Sequence, residues 1–197
     1  PCQSPRHDFL ELLTIEELTS SAEKYTPHYT VDDYQLWEGD WELWDGTAVA
    51  MMPSPFGRHA QSMGNISTKL NLAIRSARGN ATVMAEIDWI VSRDTVLRPD
   101  VTIVCGEPPE RHVENPPALV VEILSASTRQ RDLTFKKPIY RQQSVPWYRI
   151  IDPDQQTLEA LRLDADGEDQ PVAHGDTLNV DICGECSLAV DVGRMFR

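Results

Sequence analysis

Residues 118–127 read ALVVEILSAS, an apolar run with one glutamate at its centre. Leu119, Val120, Val121, Ile123 and Leu124 lack the alternation of a half-exposed strand, and their near-continuous hydrophobic run points to a strand covered on both faces. Such a strand needs a sheet with further structure packed on each side, which constrains the whole chain. It also makes Glu122 a problem. An unpaired carboxylate at that depth costs on the order of several kcal/mol. Three things could offset the cost: a buried basic partner such as an arginine, protonation through a raised pKa, or a bound metal ion.

The remaining sequence supplies the sheet. Strands are expected near residues 82–91, 97–105, 146–152 and 157–163, with SLAVDV as the last. WELWDGTAVAMM reads as a hairpin turning at Asp45-Gly46, and YTVDDYQLW as a helix start with Thr30 as N-cap and Asp33 in the capping-box position. The clearest amphipathic helix covers about 58–78, where His59, Met63, Ile66, Leu70, Ala73 and Ala77 recur at three- and four-residue steps before Gly79-Asn80 ends it. GEPPERHVENPP is a surface loop. Strands mixed with a few helices predict an α/β (α+β) fold, a mixed β-sheet flanked by helices over residues 28–197. Residues 1–27 form an N-terminal extension, helical over about 9–25.

Length and composition narrow the class. A chain of 197 residues suits one domain with a substantial core. No apolar stretch approaches the roughly 18 residues of a membrane span, and PCQSPRHDFLELL carries no secretory signature, so a cytoplasmic protein is expected. Cys2, Cys105, Cys183 and Cys186 are too few and too scattered for a disulfide scaffold and read as reduced thiols. Cys183 and Cys186 also have the spacing of half a zinc site, with only His174 near in sequence to extend it, or of a redox motif, which would instead open a helix. The five tryptophans read as core and hairpin packing rather than as base-stacking platforms, with Trp147 in the core.

A net charge of −13 argues against indiscriminate nucleic-acid binding. Its distribution says something else. Segments 58–78 and 129–149 contain Arg58, Lys69, Arg75, Arg78, Arg129, Arg131, Lys136, Lys137, Arg141 and Arg149, against one acid, Asp132. They form either one face for a phosphate backbone or two solvated helix surfaces.

Glu122 has a partner acid in LRPDVTIVC, where Asp100 opens the preceding apolar strand. Adjacent strands lie about 4.8 Å apart, so two carboxylates at one height can grip one divalent cation. Hard oxygen ligands of this kind suit Mg²⁺ or Mn²⁺, whose coordination is completed by water and substrate phosphate. The segment after the Glu122 strand, STRQRDLTFKKPIYRQQS, can carry Lys136 back over the strand's end, where an ammonium group orients a water and steadies developing negative charge. Pro138 predicts a kink or a late helix start just beyond that lysine.

Taken in order, WELWDG, MPSPFGRH, RPDVTIV, LVVEILSAST, DLTFK with a tyrosine four residues on, and WYRIIDP resemble the PD-(D/E)xK nuclease superfamily. Within it they are most similar to the Uma-two family of bacterial proteins classed with restriction endonucleases, over roughly residues 28–163. The resemblance implies a restriction-endonuclease-like fold and metal-dependent hydrolysis of nucleic-acid phosphodiesters, DNA before RNA. By position it makes Asp100 and Glu122 ligands of Mg²⁺ or Mn²⁺, with the Ile123 carbonyl as a third. Superfamily members often carry the lysine two residues after the acid; Leu124 stands there, so the role passes to Lys136. Glu42 becomes an outer ligand of metal or water, and His59 a contact to phosphate or water. Ser144 stands where the pattern has glycine.

These readings converge on a metal-dependent endonuclease, with a homodimer expected if both strands of a duplex are cut. Two rivals come from other classes: a nuclease-fold module that binds nucleic acid or protein without turnover, and a structural zinc protein built on Cys183 and Cys186.

Overall fold

The computed structural model describes residues 26–51, 57–184, 186–193, 195 and 196. The helix expected over 9–25 lies outside them.

Strand β1 (Trp41–Trp44) pairs antiparallel with β2 (Thr47–Ala50). Trp44 faces Thr47, so Asp45 and Gly46 form a two-residue turn, both at positive φ. Before it, helix α1 (Val31–Tyr34) is a single turn opened by Thr30, whose N–H and hydroxyl both donate to Asp33 Oδ2 at 2.8 Å.

Helix α2 (Gly57–Ala77) buries Ser62, Ile66, Leu70, Ala73 and Ile74. Ala77, expected on the inward stripe, is exposed, and Ile74 is buried instead. The 3.6-residue period carries the buried face past position 77. The helix stops where Arg78 turns left-handed and the Gly79 N–H returns to the Ile74 carbonyl at 2.9 Å.

Two expected strands are each broken, and their halves enter different sheets. In place of 82–91 stand β3 (Ala81–Ala85) and β4 (Trp89–Ser92), separated by Glu86 at φ 48. In place of 97–105 stand β5 (Thr95–Leu97) and β6 (Val101–Cys105), separated by Arg98-Pro99-Asp100. One smaller sheet runs β2-β1-β5-β4. The main sheet adds β7 (Leu119–Ile123), β8 (Trp147–Asp152), β9 (Thr157–Leu163) and β10 (Asp169–Pro171), in the order β10-β9-β8-β7-β6-β3. The sheet is mixed: β7 is antiparallel to β6 and parallel to β8.

All five residues of β7 are buried. Val121 and Ile123 face a core closed by α2 and by the hairpin β11 (Thr177–Ile182) and β12 (Cys186–Asp191). Val120 and Leu124 face a second core shared with Trp89, Leu97 and Tyr140. β10 and β11 were not expected, although β11 buries alternate residues in the period-two pattern that LNVDI itself carries, with Asn179 and Asp181 outward.

The segment after β7 begins with one turn, α3 (Arg129–Arg131), widens into a π-helical turn over Asp132–Lys136, and resumes as α4 (Lys137–Gln142). Pro138 lies in the first turn of α4, where a missing N–H is tolerated. The expected kink is therefore a π-turn, and it rotates Lys136 inward. Ser144 takes φ 59, the left-handed conformation that glycine would adopt freely.

The cysteine expectation is overturned. Cys105, at the end of β6, and Cys183, in the β11–β12 turn, form a disulfide across 78 residues, while Cys186 is free. No local spacing signals this pair; the hairpin's docking beside β6 creates it. The pairing means that Cys105 and Cys183 are not the free thiols expected, and it removes the support that the cysteines lent to a reducing compartment.

Candidate active site

The register of β6 and β7 sets Val101 opposite Val121, and one further step sets Asp100 opposite Glu122. Both acids line one cleft, with Glu42 from β1 and Asp132 and Lys136 from the π-turn. The break at Arg98-Pro99-Asp100 is what brings the second sheet, and so Glu42, to the edge of the first.

Glu122 is 1% exposed, and its burial is answered by lysine and tyrosine rather than arginine. Lys136 Nζ stands 3.3 Å from Glu122 Oε1, and the Tyr140 hydroxyl donates to the same oxygen. The ammonium is also 3.1 Å from Glu42 Oε1, 3.5 Å from Asp132 Oδ1 and 3.4 Å from the Arg98 carbonyl. Burial pulls the Lys136 pKa down, but Glu122, Glu42 and Asp132 outweigh it and leave the group firmly protonated. Burial pushes the Glu122 pKa well up despite that lysine, and Asp132 and Asp100 push the same way. Asp132 is raised for the same reason, with burial first. The two directions are compatible: one carboxyl can hold a proton while the others keep Lys136 charged.

Asp100 is fixed at both oxygens. The Ile123 N–H donates to Oδ2 at 2.6 Å, and His59 Nε2 lies 3.3 Å from Oδ1. Burial lowers the His59 pKa, but the hydrogen bond and charge of Asp100 reverse this and raise it. Glu42 accepts the Arg98 backbone N–H at 2.6 Å and the Trp44 indole N–H at 3.1 Å. Of the site residues expected from the sequence, Asp100, Glu122, Lys136 and Glu42 line the cleft, while His59 and the Ile123 N–H, rather than its carbonyl, reach it through Asp100.

Asp132 and Tyr140 were given no separate role from the sequence. The signal for Asp132 was present, as the single acid of a basic segment and four residues before the lysine, which sets the two on one helical face. Arg98 turns away from Asp100, to Asp88 at 2.7 Å and Asp40 at 2.8 Å, while its backbone holds Glu42 and Lys136.

The basic segments do not assemble one open face. Arg58 pairs with Asp154, Lys69 with Asp191, Arg129 with Asp152, Lys137 with Asp169 and Arg141 with Glu168, and Arg149 is buried. Arg131 does line the cleft, its guanidinium 5.7 Å from the Trp44 ring centre.

The donor set fits a hard divalent cation. Four carboxylates surround one lysine, so the cleft carries an excess of buried negative charge that a cation would relieve. Its free space is about 50 Å³, enough for an ion and very few waters. Among the described residues no three His, Cys, Asp or Glu side chains form a metal cluster by themselves. A cation here would need two carboxylates completed by backbone, water and substrate oxygens, which is the habit of Mg²⁺. Cys183, tied to Cys105, is not available as a zinc ligand alongside Cys186.

The sequence pattern of the Uma2 (Uma-two) family, described as "Putative restriction endonuclease", matches residues 31–191. The chain belongs to this family. The match runs from α1 to β12 and takes in both sheets and every residue of the cleft. A crystal structure from Anabaena variabilis ATCC 29413, titled "a putative nuclease belonging to DUF820", has a similar fold, with a TM-score of 0.68 at 20% identity, covering 85% of this chain and 97% of that one. No curated protein matches. The family supports a nuclease, and the solved structure shows the fold.

Proposed function

We propose that the chain is a divalent-metal-dependent endonuclease that hydrolyses phosphodiester bonds of DNA. The observation that carries this reading is the convergence of Asp100 and Glu122, from neighbouring strands, on a cleft that also holds a buried, charged lysine. Asp100 and Glu122 would hold Mg²⁺ or Mn²⁺, with the Ile123 carbonyl as a third donor. Bound there, the cation supplies Lewis-acid polarisation of the phosphoryl group and acidifies a water.

The chain's own residues do the rest. Lys136 holds a full positive charge where the attacked phosphate gains negative charge, and its Nζ would orient the incoming water by giving up one of its carboxylate partners. Glu42 fixes the ammonium at 3.1 Å, and His59 fixes the Asp100 carboxylate. Arg131, at the rim, meets the phosphate backbone without reading sequence. As the water oxygen bonds to phosphorus, one ester P–O bond breaks and the leaving oxygen takes up a proton. Two such clefts in a homodimer would cut both strands of a duplex. Action on DNA would place the protein in the cytoplasm, where exposed Cys105 leaves its disulfide open to reductants. Among the described residues no helix is long and apolar enough to cross a membrane.

The test is nicking of supercoiled plasmid by the purified chain with Mn²⁺ or Mg²⁺, beside Glu122→Gln of unchanged circular dichroism. Cleavage by the wild type alone supports the reading. Equal cleavage by both assigns the activity to a contaminant.

A further inference from the structure

A second cavity, about 230 Å³, lies on the other side of Arg98 and β1 from the catalytic cleft. Its walls include Tyr34, Trp37, Trp41, Asp88, Arg98 and His112. Arg98 borders both cavities, and Trp41 of the second directly precedes Glu42 of the first on β1, so the two sites adjoin.

The tryptophans here are unlike the packing tryptophans elsewhere. Trp89 and Trp147 are buried in the two cores, whereas Trp37 and Trp41 are half-buried at the cavity wall. Their ring centres are 5.8 Å apart, with Tyr34 5.5 Å from Trp37. The polar groups are already neutralised: Asp88 accepts Arg98 Nε at 2.7 Å and the Tyr34 hydroxyl at 2.9 Å, and Arg98 also reaches Asp40. A charged ligand would find its counter-charge taken. A flat, neutral ring gains from the aromatic walls, and Asp88 has used two of the roughly four acceptor positions of a carboxylate, leaving capacity for an N–H donor.

We propose that this cavity receives one unstacked nucleobase of the polynucleotide whose phosphate occupies the catalytic cleft. The proposal rests on the endonuclease reading for the identity of that polymer. Stacking on aromatic side chains tolerates any base, so the pocket anchors a splayed strand beside the scissile bond.

Binding without divalent cations separates the two ideas, because nothing turns over. Fluorescence anisotropy compares a short labelled single-stranded oligodeoxynucleotide with an abasic deoxyribose-phosphate oligomer of equal length. The wild type should prefer the base-containing oligomer by at least about fivefold, the low end of single-base stacking. Trp37→Ala should bind both equally, and Trp37→Phe should keep the preference; His112→Ala, at the same cavity, should reduce it and serves if Trp37→Ala does not fold. No preference in the wild type, or an undiminished preference in Trp37→Ala or His112→Ala, overturns the pocket. Plasmid cleavage with no base preference would refute the pocket alone, whereas base preference without cleavage would refute the nuclease reading alone.

Discussion

Lys136 Nζ lies 3.3 Å from Glu122 Oε1, with the lysine 6% and the glutamate 1% exposed. The pair resolves the glutamate inside an apolar strand, yet it does not neutralise the cleft, since Glu42 and Asp132 share the same ammonium. The site is therefore poised between a lysine that holds it together and a cation that would complete it.

Removing the lysine should expose that balance. Lys136→Met leaves Glu42, Glu122 and Asp132 buried without their common cation, and breaking a buried pair costs about 3–5 kcal/mol. The variant should melt well below the wild type in metal-free buffer and regain part of the loss with Mn²⁺. Thermal unfolding followed by circular dichroism, with and without Mn²⁺, measures both effects; an unchanged melting temperature would contradict them.

Asp152 gives a pH dependence away from the cleft. Burial alone would raise its pKa, but the N–H groups of Gln155 and Asp154 and the Arg129 guanidinium outweigh it and hold the carboxyl below its ordinary 3.8. A lowered folded pKa means the stabilisation is complete above pH 3.8 and is lost as pH falls through the folded value. Asp152→Asn should be less stable at neutral pH by about 1–3 kcal/mol and should lose less stability on acidification. Urea unfolding across the acid range checks this; parallel wild-type and variant curves would refute it.

How much of this was legible depends on the range of the interactions. The β1–β2 turn, α1, α2 and the apolar centre of β7 are local patterns, and they stand where their residues place them. Glu122, Asp100 and Lys136 announced themselves by type and spacing, and the family motifs tied them together. Apart from β11, whose alternation is local, the failures are non-local. Nothing between residues 82 and 105 states that the chain leaves one sheet and enters another at Glu86 and at Arg98-Pro99, although Arg98-Pro99 is itself a break signal. The Cys105–Cys183 bond follows from docking of a hairpin 78 residues away, and the pairing of the basic segments with distant acids likewise exists only in the folded chain.

The disulfide is directly countable. Thiol titration of the denatured chain should rise by two groups after prior reduction. Cys105→Ser should be less stable than the oxidised wild type by about 2–4 kcal/mol and indistinguishable from it under reducing conditions. No change in thiol count would contradict the bond.

Arg149 is buried within β8 with its guanidinium only partly paired. Its Nη1 reaches the Tyr148 and Leu161 carbonyls, but among the described residues Nε and Nη2 are buried without partners. Burial of this poorly paired guanidinium lowers its pKa to about 9. Arg149→Met, which keeps the bulk, should be neutral or stabilising by about 1–4 kcal/mol. A clear drop in melting temperature would show that the two carbonyl bonds and the stacking on Trp147 outweigh the burial cost.

The sharing of one cation by Asp100 and Glu122 is tested most directly by crystals soaked in Mn²⁺ and measured at a wavelength where manganese scatters anomalously. The expected result is a single anomalous peak within about 2.0–2.3 Å of one oxygen from each carboxylate, absent in crystals of Asp100→Asn. A well-ordered cleft with no peak, with Lys136 still on Glu122 at saturating Mn²⁺, would contradict it.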